Sequence, residues 1–128
     1  MYFYERMKKV EVDRIQRRSD CPLSCSLDLI GDKWSLLIIR DMLFFGKSTY
    51  NEFLNSGEGI STNILNDRLI KLTELGLISY TGTAKRKKYE LTAKGLDLKP
   101  VLQSIVEFGL KHFKGSKKHL QEKIKSLQ

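Results

Sequence analysis

Residues 61–92 read STNILNDRLIKLTELGLISYTGTAKRKKYELT, a helix signal followed at once by a hairpin signal. Leu65, Leu69 and Leu72 recur at intervals of four and three, which predicts an amphipathic helix with those leucines inward. Ser61 stands where an N-cap hydroxyl accepts from the first unpaired N–H groups, and Gly76 where a left-handed glycine closes the last turn. Beyond Gly76, residues 77–81 and 88–92 are β-prone and flank the turn 82–87, so they predict two antiparallel strands. The tip of that hairpin carries Lys85, Arg86, Lys87 and Lys88 in succession.

Working upstream, Thr49-Tyr50-Asn51-Glu52 has the form of a capping box and predicts a short helix to about Asn55. The turn 55–59 that follows is rich in residues that tolerate positive φ. Before it, Cys21 and Pro22 mark a helix start, because proline suits the first helical position. Leu27, Ile30, Trp34, Leu37 and Ile38 fall on one helical face, which predicts a single central helix ending near residues 42–46. Downstream of Thr92, Leu98, Val101, Leu102, Ile105, Val106, Phe108 and Phe113 predict a long helix that Pro100 kinks or delays. Phe3, Met7 and Val10 near the start and Leu120, Ile124 and Leu127 near the end form further apolar stripes at helical spacing.

Helix, turn, helix, hairpin is the order of a winged helix-turn-helix: mainly α, with a small β-hairpin wing. The 128 residues suit one domain, at roughly 100 to 200 residues each. Within it we expect an arm at 1–19, a winged-helix core at 20–92 and C-terminal helices at 93–128. The core is too small to cover both terminal stripes, and apolar stripes left in water mark contact surfaces. The terminal helices are therefore expected to form the interface of a homodimer.

Charge is distributed unevenly. Residues 1–18 hold six Lys/Arg against three Asp/Glu, residues 19–79 five against eight, and residues 80–128 twelve against four. A basic segment on a neutral or acidic body indicates an anionic partner, most often nucleic acid. The longest apolar runs, 36–39 and 42–45, fall far short of the ~20 residues that cross a bilayer. The charged first twenty residues lack a secretory h-region, so a cytoplasmic protein without membrane contact is expected.

Enzymatic chemistry finds little footing. No phosphate-binding glycine motif is present, since Gly57-Glu58-Gly59 lacks the third glycine and an upstream strand. His112 and His119 lack metal-ligand spacing, and Cys21 with Cys25 make only two ligands. No cofactor, metal or catalytic residue is expected.

Duplex DNA suits the pattern better. With the three leucines inward, Asn63, Asn66, Asp67 and Ile70 project outward, with Thr62 beside them. Asparagine pairs bidentately with adenine, and threonine bonds a base edge or touches a thymine methyl, so Thr62, Asn63 and Asn66 are the candidate base readers. Four adjacent cations repel one another unless an anion relieves them, which assigns Lys85 to Lys88 to phosphate. Thr49, Tyr50 and Ser61, at helix starts that favour anions, are further phosphate candidates. Arg68 sits on the edge of the buried stripe, where either a phosphate or an internal carboxylate such as Glu52 is within its reach. Cys21 is a candidate redox sensor, because a helix N-terminus favours the thiolate; the alternative is a small buried hydrophobe. Cys25, one turn further in, is expected in the core. A winged helix that meets an acidic protein surface instead of DNA is the alternative function.

Cys21-Pro22, residues 30–38 (IGDKWSLLI), Gly46, Tyr50-Asn51-Glu52-Phe53, Ile60-Ser61, Leu65, Arg68-Leu69, Leu72, Gly76-Leu77-Ile78, Tyr89-Glu90-Leu91-Thr92 and Gly95 resemble the signature of HxlR-type winged-helix transcriptional regulators. The resemblance covers about residues 20–110. It implies a homodimeric DNA-binding regulator whose terminal helices build the dimer, with a sensory role in some members for the cysteine matching Cys21. This chain departs from the family in having Thr49 where a basic residue is usual, a short wing without proline, and Phe108-Gly109 in place of Trp-Gly.

Overall fold

The computed structural model describes residues 19–113. The terminal stripes at Phe3 to Val10 and at Leu120 to Leu127 lie outside the described residues.

The predicted single helix over 21–46 is two helices, α1 (Pro22–Ile30) and α2 (Lys33–Phe45). The break is made by Asp32, which adopts extended backbone and accepts from the Ser35 N–H at 2.9 Å, while Ser35 Oγ donates to its other oxygen at 2.6 Å. An Asp in that position starts a new helix by satisfying orphan donors. The break rotates the earlier turns away from the expected stripe. Leu27 is 56% exposed and not on the core face; Leu29 packs against the core in its place, beside Ile30, which does so as expected.

α2 runs through the centre, burying Ile38, Ile39, Met42 and Phe44. Gly46 ends it in the left-handed conformation at φ 63°. The capping box forms as expected: Thr49 accepts from the Glu52 N–H at 3.3 Å and Glu52 accepts from the Thr49 N–H at 3.1 Å, opening α3 (Tyr50–Leu54). α3 delivers Phe53, 1% exposed, to the core.

α4 (Thr62–Glu74) buries Leu65, Leu69 and Leu72, with Ser61 capping the Ile64 N–H. Gly76 turns the chain at φ 80° into β1 (Ile78–Thr81), which pairs antiparallel with β2 (Lys88–Leu91). The register matches Ile78 with Leu91 and Tyr80 with Tyr89. On its other edge β2 is held by a bond from the Tyr89 N–H to the Ser48 carbonyl at 2.7 Å, which fixes the wing to the start of α3. Gly82 sits at φ 93°, and a Cβ there would lie 2.2 Å from the Arg86 carbonyl oxygen, so the narrow wing turn requires glycine.

Thr92 caps α5 (Ala93–Leu96) through the Gly95 N–H and donates its hydroxyl hydrogen to the Gly76 carbonyl. Gly95 packs so closely under the residue before β1 that a Cβ would fall 2.1 Å from the Leu77 carbonyl oxygen. Pro100 delays the last helix: α6 (Lys99–His112) begins one residue before it, separate from α5. Of α6 only Leu102 is buried; Val101, Ile105 and Phe108 are exposed, the last at 60%.

Candidate nucleic-acid interface

Two elements converge on one surface. The outward face of α4 presents Thr62, Asn63, Asn66, Asp67 and Ile70, all exposed, while its leucines hold the helix against α2. Beside it stands the wing, with Lys85, Arg86 and Lys88 exposed. Between them lies an open groove of about 620 Å³, lined by Thr49, Tyr50 and Asn51 of the α3 start, Asn66 of α4, and residues 84–89 of the wing.

The groove brings together Thr49, Tyr50, Asn66 and all four wing cations. Ser61, Thr62 and Asn63 stand at the N-terminal end of α4 outside it, next to Tyr50, whose hydroxyl donates to the Thr62 carbonyl at 3.5 Å. Thr49 is engaged by Glu52, which accepts from its hydroxyl and its backbone N–H, each at 3.1 Å. The backbone N–H of Ser48 and the Thr49 hydroxyl hold the Glu52 carboxyl below the usual carboxylate range. A phosphate approaching Thr49 therefore meets a carboxylate already seated on those donors.

Lys87 is the half-buried member of the wing cations. Its ammonium lies 4.4 Å from the centre of the Tyr80 ring. Tyr80 leans on Tyr89 at 5.7 Å between centroids, and Tyr89 meets Phe53 edge-on at 6.1 Å. An aromatic ladder thus runs from the core of the helix-turn-helix to the wing. Burial, with Tyr80 adjacent, pushes the Tyr89 phenol up, so it stays neutral.

Arg68 takes the internal carboxylate, and that carboxylate is Asp32, not Glu52. Its Nε donates to Asp32 Oδ2 at 2.8 Å and its Nη1 to Asp67 Oδ2 at 2.5 Å. Lys71 Nζ lies 3.5 Å from Asp32 Oδ1. Partial burial pushes the Asp32 carboxyl up, but the Ser35 and Arg68 hydrogen bonds outweigh it and hold the group far below the usual carboxylate range. A second cluster ties α2 to the turn before α4: Arg40 donates to Asp41 at 2.8 Å and to Glu58 at 2.6 Å. Burial drives the Asp41 carboxyl up in spite of Arg40 and Lys47.

Cys21 is exposed at the N-cap of α1, away from the groove. Cys25 is half-buried and not in the core, with its thiol on the Ser19 carbonyl at 3.2 Å. Among the described residues no cluster of three or more His, Cys, Asp or Glu side chains could hold a metal, and no helix is long and apolar enough to cross a membrane.

Sequence reasoning missed Asn51, Tyr80, Tyr89 and Asp32 as parts of this surface or its supports. Folding residues 77–92 back on themselves about the turn would have set Tyr80 opposite Tyr89. No local signal announces the pairing of Asp32 with Arg68, because the two lie 36 positions apart.

Comparison with known proteins places the arrangement. A family model described as HxlR-like helix-turn-helix matches residues 29–127. An uncharacterised HTH-type transcriptional regulator of Synechocystis is 36% identical over 92 residues, covering 70% of this chain and 67% of that protein. One from Mycobacterium tuberculosis is 36% identical over 87 residues, and the match spans about half of it, 54%, against 66% of this chain. Among solved structures, the transcription-factor candidate PA1607 aligns at TM-score 0.69 with 38% identity, over 77% of this chain and 69% of its own. The redox regulator HypR in its oxidised form aligns at TM-score 0.62 with 27% identity, over 72% and 97%.

Proposed function

The chain belongs to the HxlR-like helix-turn-helix family of transcriptional regulators, and from that premise we propose that it binds an inverted-repeat operator as a homodimer. The observation that carries this reading is the groove joining the outward face of α4 to the wing cations. The major groove admits a helix, and a polar face flanked by cations suits bases flanked by phosphates. In this reading Thr62, Asn63 and Asn66 touch base edges, while Lys85, Arg86, Lys87 and Lys88 meet phosphate together with Tyr50 and Ser61. Arg68, held between Asp32 and Asp67, orients α4 and reaches phosphate only by leaving those partners. Thr49 contributes through its cap, which sets the start of α3.

The homodimer is supported by the exposed face of α6, where Val101, Ile105 and Phe108 form an apolar stripe turned outward. A two-fold pair presents its α4 helices about one helical turn of DNA apart, roughly 34 Å. Protection of a promoter-derived fragment is expected to show two half-sites at that spacing, and to survive competition from random duplex far better than from the same fragment. Changing Ile105→Asp is expected to give a monomer by sedimentation and to lose the paired footprint. A dimeric Ile105→Asp protein would move the interface elsewhere, and a protein that ignores duplex altogether would favour an acidic protein partner.

Regulation through Cys21 is supported by its exposure at the start of α1 and by the likeness to a solved redox regulator. The expected result is that an oxidant or electrophile changes operator affinity of the wild type and leaves the Cys21→Ser protein unaffected. A serine variant that still responds removes Cys21 from the mechanism.

A further inference from the structure

We infer that Asp67 is a specificity-determining residue, accepting a hydrogen bond from the N4 amino group of a cytosine in the major groove; this rests on the DNA-binding reading of α4. Two positions beyond the fully buried Leu65, Asp67 lies about 200° around the helix from it, close to the centre of the outward face. Its side chain is 68% exposed, and Asn63, Asn66 and Ile70 share its side of the helix.

A carboxylate at the centre of a surface meant for a polyanion is unfavourable unless something offsets its charge and something on the DNA uses it. The offset is built in. Arg68 Nη1 holds Asp67 Oδ2 at 2.5 Å, and the same guanidinium is anchored through Nε to Asp32 at the start of α2. Lys71 reaches the second Asp32 oxygen. Alternating cations and carboxylates therefore seat the Asp67 carboxylate beside Arg68 and offset its charge within the cluster. An ion pair this exposed adds little to folding stability. Its use is to be sought in recognition.

An ionised carboxylate only accepts, so it is repelled by phosphate and by the acceptor-rich edge of guanine. Two amino donors face the major groove, and that of adenine stands beside the N7 acceptor, which a carboxylate cannot satisfy, so the donor it suits is the cytosine amino group. Asn63 and Asn66 each offer a donor and an acceptor, the pair adenine requires. The reading face of α4 thus carries two side chains fitted to adenine and one fitted to cytosine.

The test is selection from a randomised duplex library by the full-length wild type, Asp67→Ala and Asp67→Asn, with thermal midpoints recorded for all three. The wild type is expected to enrich an inverted repeat containing one cytosine position per half-site that Asp67→Ala leaves random, a loss of about tenfold in preference. Asp67→Asn is expected to shift the same position toward adenine. Motifs identical in all three proteins would overturn the assignment, as would a uniform gain in affinity for every sequence in Asp67→Ala, which marks simple charge repulsion. A wild type that enriches no motif overturns the operator reading itself, and this inference with it.

Discussion

Replacing Lys85, Arg86, Lys87 and Lys88 together by alanine is expected to lower the magnitude of the log–log salt slope of duplex binding by about 3 per protomer. Each phosphate neutralised on duplex DNA contributes about 0.9, so four equal contacts would give about 3.6. The smaller figure follows from Lys87, whose ammonium is drawn back over the Tyr80 ring and is half-buried. Three released counterions correspond to roughly several hundredfold in affinity between about 1 M and 0.1 M salt, so the variant and the wild type should converge as salt rises. Folding should be nearly unaffected, because Lys85, Arg86 and Lys88 are exposed and mutual repulsion among them is removed. Affinity measured across a salt series, beside a thermal melt, checks both halves. A slope unchanged by the fourfold substitution takes the wing out of the interface.

The parts of this surface that were legible in the sequence are those set by local chemistry. Ser61, Gly76 and the leucine stripe determine α4 through contacts within a few residues, and the same holds for the Thr49–Glu52 box. The wing was legible because its strands and turn are contiguous. The break at Gly31–Asp32 was not. Apolar residues at helical spacing continue across it, so periodicity alone reads one helix where a cap divides two. The distinguishing sign was Asp32 three positions before Ser35, a cap that can be recognised only if the glycine before it is allowed to stop a helix. Arg68 illustrates the other failure. A cation beside a DNA-reading face has two electrostatically sensible partners, and only the fold, by bringing the start of α2 beside α4, decides for Asp32 over phosphate or Glu52. Fold and charge were therefore readable to the extent that they are local, and the supports of the site were not.

Phe53→Ala is expected to cost about 3 to 5 kcal/mol, the usual range for emptying a buried phenylalanine site. In a domain of this size that corresponds to a fall in thermal midpoint of roughly 10 to 20 °C. The upper part of the range is favoured by the shape of the element. α3 has five residues, too few to persist by backbone bonding alone, and Phe53 is its one buried side chain. Losing it also removes the edge contact that Tyr89 makes with the core, and with it the seat of Tyr80 and Lys87. Two consequences separate this variant from one at the reading face. Asn63→Ala, fully on the surface, should leave the midpoint within about a degree, since exposed substitutions rarely exceed ~0.5 kcal/mol, while weakening operator binding. Phe53→Ala should lose stability first, and at temperatures where it remains folded it should bind operator with a shallower salt slope, because the wing cations are no longer held toward the groove. A melt shifted by less than about 3 °C, or a folded Phe53→Ala protein with the wild-type slope, would show that the aromatic ladder does not carry the wing. The cationic finger would then be positioned by the β1–β2 ladder and the Ser48–Tyr89 backbone bond.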